Sequence, residues 1–349
     1  MIKRSICLSM LAAFALIGCS GEKGPESTTG TTATAGPKTE GTALKKDKLK
    51  ITVIAKSNSN PVFQSAHEGA RAAAKELSAS TGCEITIDVR TPDQEDGQVQ
   101  AQRIAQAVNE GTDAILISCS DATKVTGAIN DAVDKGVAVM TFDSDAPDSK
   151  RFASYGADDI ECGTMTMDEL AKQLGEKGNI AILAGNQNAP NLQKRVQGAK
   201  EAAAKYPGIK IVDTFYHPET PQDATSAVMN AMNANPQING WAMIGGWPLF
   251  APSLLKDLDP AKVKIVAVDA LPAELPYVDR GLAPVLLAQP TYDWGYKSVG
   301  IIVDKLVLGK EVQVVNKMEL VRVTKDNLKV WAKQLKDWGF TDVDPKFLQ

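Results

Sequence analysis

The sequence predicts an α/β chain of two doubly wound, parallel-sheet lobes, and three observations carry that expectation. From Leu49 onward short apolar runs recur: "KITVIA", "CEITIDV", "DAILIS", "VAVMTF", "NIAILA", "IKIVDTF", "GWAMI", "VKIVAVD" and "APVLLA". They do not alternate with polar residues, which marks strands buried on both faces, and the helical stretches of roughly 15 residues between them make those strands parallel. Second, Gly82, Gly111, Gly136, Gly178, Gly208 and Gly281 stand just before six of the runs, where a helix C-terminus calls for positive φ. Third, the helical stretches are one-sided. In "FQSAHEGARAAAKEL" Ala66, Ala70, Ala73, Ala74 and Leu77 recur at helical spacing, a face that packs on a sheet. So many strands exceed one usual sheet of this kind, and the chain is expected to divide between two.

Taken from the N-terminus, the first element is an address. Lys3-Arg4 precede an apolar run from Ile6 to Ile17, too short to span a bilayer as a mature helix but right for a secretory signal. Its end, Leu16-Ile17-Gly18-Cys19, resembles the lipobox of bacterial lipoproteins. That implies a signal peptide over residues 1–19, acylation of Cys19, and a chain anchored by lipid to a membrane in the periplasm or at the cell surface. Residues 20–48 are rich in Ser, Thr, Gly and Pro and cannot build a core. They read as a disordered tether reaching roughly 30 Å.

Composition then excludes several classes. With 44% hydrophobic and 23% charged residues the remainder can bury a large core without staples. Net charge is −4 and the only basic cluster is Lys45, Lys46, Lys48 and Lys50, so no nucleic-acid partner is expected. Cys83, Cys119 and Cys162 are odd in number and lack a CxxC spacing; at most one disulfide can form, and buried small side chains are the simpler reading. His67 and His217 have no ligand-type spacing, so no metal is expected. Neither a GxGxxG nor a GK[ST] follows a strand, and no cofactor is expected.

In an open parallel sheet the ligand site is the crevice beyond the carboxyl ends of the strands, so the residues after each run are the candidates. Asn60 follows the first run, Ser118 the third, Asp143 and Asp145 the fourth, and Asn191 the fifth; later come Trp247, Asp269 and Gln289. Asp143 and Asp145 share one side if their strand continues; as loop carboxylates they would instead cap or turn the chain. Amides, carboxylates and serine hydroxyls pair with hydroxyls, while the rings of Phe63 and Trp247 suit a C–H face. The inventory suits a neutral polyol, hence a sugar. There is no GxSxG, no HExxH and no histidine with a serine partner, so the chain reads as a non-enzyme. A secreted glycoside hydrolase using Asp143 and Asp269 is the catalytic alternative.

These residues also carry a resemblance. From about Leu49 to Val323 the chain resembles the bacterial periplasmic sugar-binding proteins of the ribose-binding type, with the type I periplasmic binding fold, which feed ABC importers. "SNSNPVFQSAHEGA" is similar to the family's first-strand motif and implies Asn60 as a hydrogen-bonder and Phe63 as a stacking face. "VMTFDSDAP" resembles the strand ending in a sugar-binding aspartate, with Ser144-Asp145 where many members have arginine. "GNQNAPNLQKRVQGAKEA" is similar to the second-lobe loop and helix, implying Asn191 as a contact and Arg195 as a contact or a structural ion pair. "VKIVAVDALPAE" and "APVLLAQPTYDWGY" match strands ending in Asp269 and Gln289, and "MIGGWPLF" replaces the usual amide contact by glycines and Trp247.

The resemblance implies discontinuous lobes: 49–157 with 291–315, and 158–290 with a strand at 316–323, joined by a three-strand hinge. Residues 324–349 form an added helix and tail that Thr324 and Asn327 start. The implied function is a monomeric, lipid-anchored receptor that holds a monosaccharide between the lobes and presents it to an ABC permease. A receptor serving a membrane sensor, for a sugar or an autoinducer-2-like ligand, is the near alternative.

Overall fold

The computed structural model describes residues 46–349. Cys19, the signal segment and the tether up to residue 45 lie outside the described residues. In chain order the regular elements are β1 (Lys48–Ile54), α1 (Pro61–Thr81), β2 (Glu84–Val89), α2 (Gly97–Asn109), β3 (Ala114–Ile117), α3 (Ala122–Asp134), β4 (Ala138–Phe142) and β5 (Ala153–Gly156). Then follow α4 (Asp159–Gln173), β6 (Lys177–Gly185), α5 (Pro190–Ala203), β7 (Gly208–Tyr216), α6 (Pro221–Ala234), β8 (Gly240–Met243), β9 (Lys264–Val268), α7 (Leu275–Asp279) and β10 (Val285–Ala288). The chain ends with α8 (Thr291–Leu306), β11 (Val315–Lys317), β12 (Val321–Val323) and α9 (Leu328–Asp337).

The strands form two six-stranded sheets, ordered β11-β5-β4-β3-β1-β2 and β12-β10-β9-β8-β6-β7. Position by position the two orders are the same: β4 stands where β9 stands, and β1 where β6 stands. All neighbours in the first sheet are parallel; in the second only β12 runs antiparallel, against β10. The unalternated strand pattern has its expected cause. Along β1, Ile51 and Val53 pack with Ala66 and Ala70 of α1 and Val299 of α8. Ile54 of the same strand, with Ile115 and Ile117, faces Ile104 of α2 and Val125 and Ile129 of α3. Both faces are covered, so both need apolar side chains.

Three of the sequence expectations need adjustment. Gly82, Gly111, Gly136 and Gly281 do have positive φ, but Gly178 and Gly208 lie within β6 and β7, and Gly175 with Glu176 makes the left-handed turn after α4. The stretch 316–323 is not one strand of the second lobe: β11 pairs with β5 in the first sheet and β12 with β10 in the second. The chain passes between lobes at 318–320, so one strand cannot serve both sheets. The first strand takes in Lys48, which the tether had been expected to include.

Each lobe joins its two cleft-flanking helices at glycines. A Cβ on Gly69 of α1 would lie 2.0 Å from the Tyr292 carbonyl oxygen, and one on Gly295 of α8 would lie 1.8 Å from that of Ala66. In the second lobe a Cβ on Gly163 of α4 would meet the Arg195 oxygen at 1.9 Å, and one on Gly198 of α5 the Ile160 oxygen at 2.0 Å. Only glycine permits backbones this close. At the C-terminus, Asn327 accepts from the Thr324 N–H at 2.8 Å and starts α9. Leu328, Trp331 and Leu335 of α9 sink into the second lobe's core, while Trp338 stacks on Tyr292 of α8 with centroids 5.8 Å apart. Cys83, Cys119 and Cys162 are buried free thiols. Among the described residues no helix is long and apolar enough to cross a membrane.

Candidate functional site

Both sheets end toward the interlobe gap in an aspartate with left-handed backbone. Asp143 after β4 has φ 55° and Asp269 after β9 has φ 79°; among the described residues the only other non-glycine with positive φ is Glu176. A non-glycine residue in this region costs on the order of 1–3 kcal/mol, and such strain persists where the surroundings fix it. Here the left-handed turn stops the strand and swings the carboxylate into the gap.

The carboxylates meet in a small cavity of about 20 Å³. Lobe one lines it with Lys56, Asn60, Phe63, Asp143 and Trp294, and lobe two with Asn191, Arg195, Glu219, Trp247 and Asp269; Gln289 comes from the crossing between β10 and α8. Larger hollows of about 400 Å³ beside the hinge strands and about 480 Å³ between the loops after β1, β2, β6 and β7 flank it. The strand-end groups nevertheless converge on the small one.

There the polar groups satisfy one another. Asp143 accepts from Ser118 Oγ at 2.7 Å and from Asn191 Nδ2 at 3.1 Å, the second bond crossing from lobe two. Gln289 Nε2 donates to Asp269 Oδ1 at 2.9 Å while its Oε1 accepts from Arg195 at 2.9 Å. Arg195 also donates to Asp159 at 2.9 Å and to the Ile244 carbonyl at 3.2 Å, so it is both a cavity wall and a structural ion pair. Asn60 lines the cavity and caps α1, accepting from the Val62 N–H at 3.2 Å.

Burial shapes the charges. It is the foremost cause raising the Asp269 carboxyl above its usual range, against the opposing pull of the Gln289 amide and Arg195. Asp159 is pushed up to about 6, again mainly by burial, with Arg195 opposing. For Lys56 burial works against the charge, but the carboxylates of Glu219 and Glu95 outweigh it and its pKa is raised.

Aromatic rings form two walls. Phe63 stacks on Trp294 at 5.9 Å and meets Phe142 edge-on at 6.3 Å, and the Trp294 indole N–H has no partner in the protein. Trp247 fits because its neighbours are glycines: a Cβ on Gly245 would lie 2.4 Å from the ring and one on Gly185 2.6 Å. His217 meets Trp247 edge-on at 5.0 Å.

Two expected contacts do not reach the cavity. Ser118 is fully buried behind Asp143 and orients it. Asp145 turns the other way, accepting from Thr141 Oγ1 at 2.6 Å and pairing with Arg151. The period-2 argument required the strand to continue past Phe142, and the left-handed residue at Asp143 ends it. The strand-end reading also passed over Lys56, Glu219 and Trp294. Lys56 is the first polar residue after "KITVIA" and was available to that rule; Glu219 sits three residues beyond β7 and Trp294 inside α8, where no strand end points.

Residues 51–311, well over half of the chain, match the family described as periplasmic binding protein domain. The chain is 28% identical over 239 residues to the xylitol-binding protein of Mycolicibacterium smegmatis, covering 67% of this chain and 68% of that one. It is 24% identical over 290 residues to the ribose import binding protein of Escherichia coli, covering 81% and 92%. Among solved structures, the ABC transporter solute binding protein of Burkholderia graminis in complex with D-arabinose aligns with a TM-score of 0.74 at 27% identity, covering 81% and 98%. The glucose-galactose binding protein of Geobacillus stearothermophilus aligns with a TM-score of 0.74 at 26% identity, covering 81% and 99%. These relatives are named as binding proteins, in keeping with a non-enzyme. Two like-ordered sheets, three crossings and this sequence match place the chain in the periplasmic binding protein family, with its type I two-lobe fold.

Proposed function

We propose that the chain is the substrate-binding lipoprotein of an ABC-type sugar importer and holds a monosaccharide or a related polyol between its lobes. One observation carries the reading: Asn60, Phe63, Asp143, Asn191, Arg195, Trp247, Asp269 and Gln289, drawn from both lobes, line one cavity. The bonds Asp143–Asn191 and Arg195–Gln289 join acceptors and donors that a polyol's hydroxyls can replace one for one, and Phe63 and Trp247 offer faces to its C–H groups. Admission of a sugar ring into a cavity of about 20 Å³ requires the interlobe pair Asp143–Asn191 to part, so binding is coupled to lobe movement. Acylated Cys19 would hold the receptor at the membrane.

A thermal-shift screen of the purified full chain against pentoses, hexoses, deoxyhexoses and xylitol tests the reading. One of them should raise the melting temperature, since ligand at 100 times Kd adds about 2.7 kcal/mol. A flat response across the panel removes it. The anchor is tested separately: Cys19→Ser should move the chain from the membrane fraction to the soluble one, and retention on the membrane removes that part.

A further inference from the structure

Beside the polyol-binding set the cavity holds a charge cluster, two of whose members, Lys56 and Glu219, share its lining. Lys56 leaves the tip of β1 with its side chain 3% exposed; its Nζ lies 3.9 Å from Glu95 Oε1 and 3.8 Å from Glu219 Oε1, and donates to Asn191 Oδ1 at 3.2 Å. Lys56 and Glu95 belong to lobe one, Glu219 and Asn191 to lobe two. The two carboxylate oxygens that face the ammonium are buried and have no hydrogen-bond partner. Two carboxylates against one ammonium leave a net negative charge away from water, and a buried unbalanced charge is relieved by taking up a proton.

We propose that Glu95, Lys56 and Glu219 form an interlobe clasp, complete only when the lobes meet, that positions the lobes around the ligand and takes up one proton from solvent as it closes. The proposal rests on the polyol-receptor reading and deepens it. With the lobes apart Glu95 has Lys56 and water beside it. With them together burial foremost, and then the Glu219 charge, push Glu95 up to about 8, while Lys56 and the Asn186 amide oppose. The other charged groups near the cluster do not balance it: Asp121 and Lys124, which share a hollow with Glu95, are of opposite sign. Asp143 and Arg195 act on Lys56 in opposite senses. Asp96 faces away to cap α2, accepting from the Gln98 N–H at 2.7 Å. His217, whose pKa burial lowers, adds no charge at neutral pH.

The sign follows from linkage. The closed form binds the proton more tightly than the open one, so ligand affinity is greatest in mild acid, falls as pH rises toward 8 and levels off above it. Glu219→Gln replaces a carboxylate by an amide whose N–H can serve Glu95 as the proton does. The variant should lose the pH dependence and, at pH 8.5, bind more tightly than wild type.

The test is calorimetric titration of the full chain, wild type, E95Q and E219Q, with D-ribose, D-arabinose, D-allose and xylitol at pH 5.5, 7 and 8.5. Wild-type affinity should weaken about tenfold or more across that range, with both variants flat. A flat wild-type profile, or variants with the wild-type slope, overturns the clasp. If none of the four probes binds, the receptor reading fails on its own. The clasp is then judged on the free chain by small-angle scattering: the radius of gyration of wild type should grow from pH 5.5 to 8.5 as the lobes part, with E95Q and E219Q unchanged, and a wild-type radius independent of pH overturns it.

Discussion

Asp143 and Asp269 are counterparts: each follows the same-placed strand of its sheet, each has a left-handed backbone, and each lines the interlobe cavity. The cavity is therefore met by one carboxylate from each lobe on a turn of the same hand. Asp143→Gly separates the two roles of the first. Glycine relieves the strain of the left-handed turn, which partly offsets the Ser118 hydroxyl and Asn191 amide left without their acceptor, so the melting temperature should fall by only a few degrees, while loss of the charged acceptor should weaken polyol binding roughly thirtyfold or more. Calorimetry beside a thermal scan reads both; unchanged affinity would remove Asp143 from the site.

The glycine contact between α4 and α5 bears on the site through Arg195. Gly163→Ala places a Cβ where the Arg195 carbonyl oxygen stands, at 1.9 Å. The helices must separate, at about 1–3 kcal/mol or more, and the guanidinium bonded to Gln289 and Asp159 must shift with α5. Urea unfolding should show the destabilisation and titration a weaker ligand; Gly127→Ala, where a Cβ meets open space, is the control and should do neither.

Glu274 gives the second lobe a pH dependence of its own. It is fully buried behind the cavity, its Oε2 accepting from the Leu271 N–H, and burial foremost, then Asp269, raise its pKa well above the usual carboxylate value. The folded chain thus binds this proton more tightly than the unfolded one. Its stabilising contribution is present below the unfolded carboxylate range and is lost as pH rises through the raised value. Glu274→Gln should gain melting temperature relative to wild type as pH increases from 5 to 9; a constant offset would contradict this.

The C-terminal helix supports the cavity from behind. Trp331 of α9 is buried and its indole N–H donates to the Ala270 carbonyl at 2.7 Å, one residue beyond Asp269. Trp331→Phe should keep most of the packing and cost about 1–2 kcal/mol for the unpaired carbonyl. Trp331→Ala should cost about 3–5 kcal/mol and weaken ligand binding through the displaced Asp269 loop. Equal stability of the two variants would show that the ring's bulk does not matter there.

The α/β class and the rough division into lobes were legible because burial on both faces leaves an unmistakable mark in runs such as "AILI" and "VMTF". Most residues lining the cavity were legible for a related reason: in a parallel sheet the polar residue after each run has one place to go. What escaped was set by single dihedral angles and by contacts across the gap. Nothing in "FDSDAP" says that Asp143 is left-handed, and that one angle sends Asp145 to Arg151 instead of to the cavity. Glu219 became visible only when lobe two was set against Lys56, a pairing 163 positions apart in the chain.

The glycine-to-carbonyl seams have a mechanical meaning. Asn60 and Asn191 stand at or near the N-terminal tips of α1 and α5, while α8 and α4 are the helices the chain enters on leaving its first two crossings. With no side chains between the backbones to yield, a tug on either tip is passed undamped to the helix at the pivot. Each helix pair is thus braced like a spanner on its bolt, with no slack between jaw and nut.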